Sequence, residues 1–235
     1  MSTLDTPRTT TLDRTLGDLV AERPARARVL ERLGLDYCCH GQRTLRDASV
    51  AAGLSPDVVR AEIDSVVDEA GADVDSLEPV PLVDHILATH HQYLHEELPL
   101  LVALADKVRD VHRDRHPELV ELALLVREIR DDLEPHLAKE EQVLFPAIQA
   151  WADGQRQFHF GALSNPVRMM MSEHDRAGDL LEALRSVTAG YRTPADGCAS
   201  YQSLYERLEH LEADTHRHVH LENNVLFPAV TADDS

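Results

Sequence analysis

Apolar residues recur at spacings of three and four along almost the whole chain, and the alternation that marks strands is scarce. Leu and Ala dominate, aromatic residues are few, and the β-branched residues mostly fall in helical patterns. The pattern predicts an all-α protein in two parts. In the first, roughly residues 12–70, the stripes are short. Leu16, Leu19 and Val20 form one. Ala27, Leu30 and Leu33 form another, with Pro24 suited to a first helical position and Gly34 to a stop. A third helix is expected from Leu45 to Ala52, closed by Gly53. Ser55-Pro56-Asp57 opens a fourth that carries Val59, Ile63, Val66 and Val67. Residues 71–81, rich in Gly, acid and Pro, read as a linker.

The second part, roughly 82–231, holds four longer stretches, near 82–111, 117–150, 166–190 and 197–229. Their inward stripes are Leu87, His91, Leu94, Leu98, Leu101 and Ala105; then Ile129, Leu133, His136, Glu140 and Val143. The third and fourth are Met170, His174, Ala177, Leu181 and Leu184; and Leu204, Leu208, Leu211, His218, Glu222 and Val225. Four such helices predict an antiparallel four-helix bundle. Pro99, Pro135, Pro146 and Pro228 fall inside or near the ends of these stretches, where kinks or early endings are expected.

Each stripe carries a His where an apolar residue would otherwise stand. The segment from His136 to Ala147 returns as His218 to Ala229, both reading H-x-x-x-E-x-x-V-L-F-P-A at an offset of 82. His91 and His174 are offset by 83. The bundle is therefore expected to have pseudo-twofold symmetry. A His and a Glu four apart lie on one helix face, about 6 Å apart along the axis. Inward-facing charge needs a partner, and two His with two Glu from two helices can share a cation. Four imidazoles and two carboxylates suit two metal ions, each taking two His while the Glu bridge. Such ions typically lie ~3.5–4 Å apart. The mixed nitrogen and oxygen donors favour iron over manganese or zinc. Remaining positions would hold an oxide or hydroxide bridge and an open site for a small ligand. His90, His95, His112, His116, His210, His216 and His220 lie off the stripes and are expected to be exposed. His85 is ambiguous, and His159 falls in the loop between the second and third stretches.

With 42 acidic against 23 basic residues the formal net charge is −19, which argues against nucleic acid and anionic membranes as partners. No apolar run approaches the ~20 residues of a membrane span. The start of the chain has no apolar signal core, so a cytoplasmic location is expected. Three cysteines make no disulfide framework. Cys38 and Cys39 are adjacent, and a disulfide between them would be strained. They read either as a thiol pair that handles electrons, nitrosyl groups or iron, helped by His40, or as small buried hydrophobes in a turn. Cys198 reads as inert.

Asp36-Tyr37-Cys38-Cys39-x-Gly41, followed by two H-x-x-x-E-x-x-V-L-F-P motifs, resembles the repair-of-iron-centres family. These are hemerythrin-like di-iron proteins with a small ScdA-type N-terminal domain, and the resemblance spans about residues 12–230. It implies a non-haem di-iron centre held by His91, His136, Glu140, His174, His218 and Glu222. It also implies a function for Cys38 and Cys39, and a supporting position for Glu173. Two departures stand out: Asp131-Asp132 occupies a position often held by Glu-Glu, and the loop before the third stretch is longer than usual.

The function so implied is repair of iron–sulfur clusters damaged by nitrosative or oxidative stress, by supplying iron to damaged client proteins. The alternatives are nitric oxide reduction at the di-iron centre, with Cys38 and Cys39 relaying electrons, and a hemerythrin-like module that binds or senses dioxygen or nitric oxide. A homodimer is left open.

Overall fold

The computed structural model describes residues 10–38, 41–66 and 74–232, and within them eight helices. The chain divides into two compact units, Met1–Asp75 and Ser76–Ser235. Cys39, His40, Val67 and residues 71–73 of the expected linker lie outside the described residues, and residues 79–81 of that linker already belong to the first bundle helix.

The first unit contains α1 (Leu16–Glu22), α2 (Ala27–Arg32), α3 (Leu45–Ala51) and α4 (Pro56–Ser65). A 3-10 turn, Pro24–Arg26, leads into α2. Thr15 and Thr44 cap α1 and α3, each side chain accepting from the backbone N–H three residues on. Gly34 ends α2 at a φ of 67°, and the Leu35 N–H returns to the Leu30 carbonyl. Leu16, Leu19, Val20, Leu30, Leu45 and Ile63 are wholly buried and form the unit's core.

The second unit is a ring of four long helices. α5 spans 79–112 and α6 spans 118–152, α7 is Ser164–Val187, and α8 spans 199–231. Cross-helix pairs fix their directions. Glu97, Tyr93 and His90 of α5 meet Arg207, His210 and Asp214 of α8, so one number rises as the other falls. The same holds for Asp106–Arg127 and His91–Glu141 between α5 and α6. Glu128–Arg176 and His136–Glu173 set α6 against α7. Arg185–Glu212 and His174–Asn223 set α7 against α8. All neighbours are antiparallel.

The four prolines do not end these helices. Pro99 and Pro135 sit inside continuous helix. Pro146 and Pro228 each follow a π-helical turn, Glu140–Leu144 and Leu221–Leu226. There the N–H of Phe145 reaches the Glu140 carbonyl, and that of Phe227 the Glu222 carbonyl, five residues back. The wider turn accommodates a residue with no N–H of its own to donate. A third π turn, Leu87–His91, lies in α5.

Each π turn absorbs one extra residue and rotates what lies beyond it. The stripe positions Val143, Val225 and Leu87 are accordingly not buried, whereas Leu144, Phe145, Leu226, Phe227 and Ile86 are. The inward His and Glu lie between two apolar layers. On one side are Leu94, Leu98, Leu133, Leu181 and Leu208; on the other Leu82, Ile86, Phe145, Ile148 and Phe227.

Candidate metal centre

Six side chains meet between these layers, one His from each helix and one Glu each from α6 and α8. His91, His136, Glu140, His174, His218 and Glu222 are all at most 2% exposed. They form two four-residue groups whose donor atoms lie within 4.8 Å of one another: His91, Glu140, His218, Glu222, and His136, Glu140, His174, Glu222. Both carboxylates belong to both groups. Glu140 Oε2 lies 3.4 Å from the Nε2 of both His91 and His136. Glu222 Oε1 is 3.0 Å from His218 Nε2, and its Oε2 is 3.1 Å from His174 Nε2.

The outer nitrogens explain why the inner ones face inward. His91 Nδ1 lies 2.9 Å from Glu141 Oε1, His136 Nδ1 2.9 Å from Glu173 Oε2, and His174 Nδ1 2.8 Å from Asn223 Oδ1. Each acceptor requires an Nδ1–H, which leaves Nε2 as a bare lone pair. Glu141 also meets His95, and Glu173 also meets Lys139.

The interior is therefore overloaded with acceptors. His136 and His174 Nε2 stand 3.0 Å apart, and His91 and His218 Nε2 3.2 Å apart. Both oxygens of Glu140, and Oε2 of Glu222, are buried without a hydrogen-bond donor. Burial and the neighbouring Glu222 charge push the Glu140 carboxyl well above its usual range. Burial acts on Glu222 in the same direction, but His218 and His174, when they carry a proton on Nε2 in place of a cation, outweigh it and hold that carboxyl low. Burial, reinforced by His174, pushes the His136 imidazole down to about 4 and keeps it neutral. Lone pairs and carboxylates crowded into a dry space fit cations between them.

Residues 82–230 match the hemerythrin HHE cation-binding domain family. Residues 12–67 match ScdA_N, described as a domain of unknown function, DUF542. The chain is 34% identical over 221 residues to the iron–sulfur cluster repair protein YtfE of Enterobacter sp. (strain 638), covering 94% of this chain and 97% of that protein. The YtfE proteins of Escherichia coli O1:K1 and Escherichia fergusonii are 33% identical with the same coverage. The chain belongs to the hemerythrin-like iron–sulfur cluster repair family.

Glu173, the acid next to His174 that the resemblance singles out, reaches His136 on the neighbouring helix. Glu141 and Asn223 go beyond the sequence reading. A signal for them exists, since both follow the repeated Glu directly and both carry an acceptor oxygen. Asp132 is turned to Arg176, 2.7 Å from its Nε, and burial raises its carboxyl despite that cation. Cys38 is buried, its backbone N–H and Sγ directed at Asp36 Oδ1. Cys39 lies outside the described residues. Cys198 is exposed, with its Sγ 3.2 Å from His112 Nε2.

The expectation of exposure holds for His95 and His210 and fails for His116, which is half-buried, and for His90, His112, His216 and His220, which are buried. The π turns and the ends of the bundle place more than one helix face inside, so a single stripe does not exhaust the interior. His85 is half-buried, edge-on to His90, and burial lowers its imidazole. His159 is exposed in the 153–163 loop. No helix among the described residues is long and apolar enough to cross a membrane.

Proposed function

We propose that this chain repairs damaged iron–sulfur clusters, and that His91, His136, Glu140, His174, His218 and Glu222 hold two iron ions for that purpose. The observation that carries the reading is the pair of buried donor groups sharing Glu140 and Glu222, in a chain alike over nearly its whole length to cluster repair proteins. When bound, the irons are the metal that a damaged cluster lacks.

The remaining work falls to the chain's own groups. Each pocket takes two imidazole nitrogens and an oxygen from each carboxylate. Glu141, Glu173 and Asn223 hold their rings in the ligating tautomer and orientation. The apolar layers exclude water and keep the carboxylates turned inward. Glu140 and Glu222, each within reach of both donor groups, would be the residues whose shift toward one group would loosen an ion without unfolding the bundle. The clients are iron–sulfur proteins with damaged clusters, and the small ligands that reach the centre are diatomic, nitric oxide or dioxygen.

The test pairs composition with repair. Protein loaded anaerobically with ferrous iron should carry two irons per chain and reactivate an iron–sulfur dehydratase inactivated by nitric oxide or peroxide. Glu140→Ala should carry fewer and reactivate poorly. Full repair by a variant that binds no iron would overturn the reading.

A further inference from the structure

The internal repeat relates the two pockets, and it also relates what stands behind them. At the same offsets Glu141 answers to Asn223, and Glu173 to His90. Three of the four imidazoles have an acceptor at Nδ1, as described. The fourth does not. His218 Nδ1 is buried and has no hydrogen-bond partner. Where Glu173 reaches His136, its counterpart His90 instead stands parallel to and offset from the His218 ring. The two planes are 3° apart with centroids 5.5 Å apart. A ring stacked in this way turns its in-plane lone pairs away from Nδ1. His90 is itself anchored by Asp214, whose Oδ1 lies 2.9 Å from its Nδ1.

Ligation through Nε2 requires the proton on Nδ1, and a buried N–H without an acceptor is unfavourable. An acceptor there also fixes the ring and raises its basicity; losing one typically weakens metal binding 10–100-fold. The pocket of His136 and His174 has both rings braced. The pocket of His91 and His218 has one.

We infer that the two metal sites are inequivalent. The pocket of His91 and His218 binds its ion more weakly and releases it first, and His90 is the positioning residue that sets the difference. This rests on the two-ion reading above. It gives the repair function a direction, with one labile ion for donation and one retained ion that keeps the bundle's centre formed.

The experiment uses the full chain, loaded anaerobically with ferrous iron and competed against a chromogenic ferrous chelator, with released iron counted per chain. Wild type should release its two ions in separate steps, about 10–100-fold apart in chelator concentration. His90→Gln restores an acceptor. Its amide oxygen can take the His218 Nδ1–H as Asn223 does for His174, while its NH2 donates to Asp214. The two steps should then draw together. Asn223→Ala removes a brace from the tighter pocket and should narrow the gap from the other side, which keeps the test decisive if His90→Gln fails to fold. Release of both ions from wild type in one step, or a gap unchanged in the folded variants, overturns the inequivalence alone. Fewer than two ions in wild type and both variants overturns the two-ion reading and the inequivalence with it.

Discussion

At the scale of single residues, Glu140 bears the largest conflict between stability and function. It is wholly buried, both its oxygens lack a donor, and a second carboxylate faces it. A buried acceptor left unsatisfied costs about 1–3 kcal/mol. Glu140→Leu should therefore raise the melting temperature of the metal-free protein while abolishing the rise that iron produces. Paired thermal melts with and without ferrous iron would check this, and a destabilised metal-free variant would contradict it. Gly41 is constrained by shape instead. A Cβ there would lie 2.2 Å from the Tyr37 carbonyl oxygen, which is backbone and cannot swing aside. Gly41→Ala should cost about 1–3 kcal/mol, the range of overpacking in a tight site, read from urea unfolding. The polar interruptions of the apolar stripes are legible in the sequence, because a His or Glu at a core position is conspicuous. The braces are not. Glu173 comes only through resemblance, Glu141 and Asn223 lie directly after the repeated Glu140 and Glu222, and His90 and Asp214 are 124 residues apart.

At the scale of elements, the four long helices follow from the period of three and four, with ends within a few residues of those observed. The π turns do not. A period of 3.6 carries no mark of a single wide turn, and the prolines read as kinks or early endings. Once the wide turn is seen, Pro146 and Pro228 become residues that it tolerates. Deleting Val143 should close Glu140–Leu144 to ordinary helix and swing the following segment by about 100°. Phe145 would turn outward, at a cost comparable to the ~3–5 kcal/mol of removing a buried Phe. Denaturant unfolding and iron content should fall together. Between elements, His116 joins the end of α5 to the 188–198 loop. Its ring nitrogens lie 2.9 Å from Glu118 and 3.0 Å from Asp196. Its hydrogen bond to Glu118, with that to Asp196, outweighs partial burial and raises the imidazole above its usual range. A raised value means the pair stabilises the fold fully below about pH 6.5 and loses that contribution as pH climbs through the folded value. His116→Ala should thus lower the melting temperature more at pH 6 than at pH 8.5. An equal loss at both would show that the ring acts through packing alone.

For the whole molecule, a buried cluster of acceptors makes the bundle dependent on what it binds. A ligand at 100 times its dissociation constant adds about 2.7 kcal/mol per site. For a domain of this size that is a shift of roughly 5–10 °C. Ferrous iron should raise the melting temperature by at least that amount, and a strong chelator should reverse it; no shift would argue against cations between Glu140 and Glu222. The sequence by itself determined the helical class, the lengths of the four bundle helices and the duplicated His and Glu, since each depends on spacing along one chain. The tertiary structure decided which acceptor backs three of the imidazoles and that His218 has His90 beside it instead, and that both carboxylates belong to both donor groups. Those are contacts between helices, set by antiparallel packing and by π turns that rotate a stripe by one residue, and no local pattern encodes them.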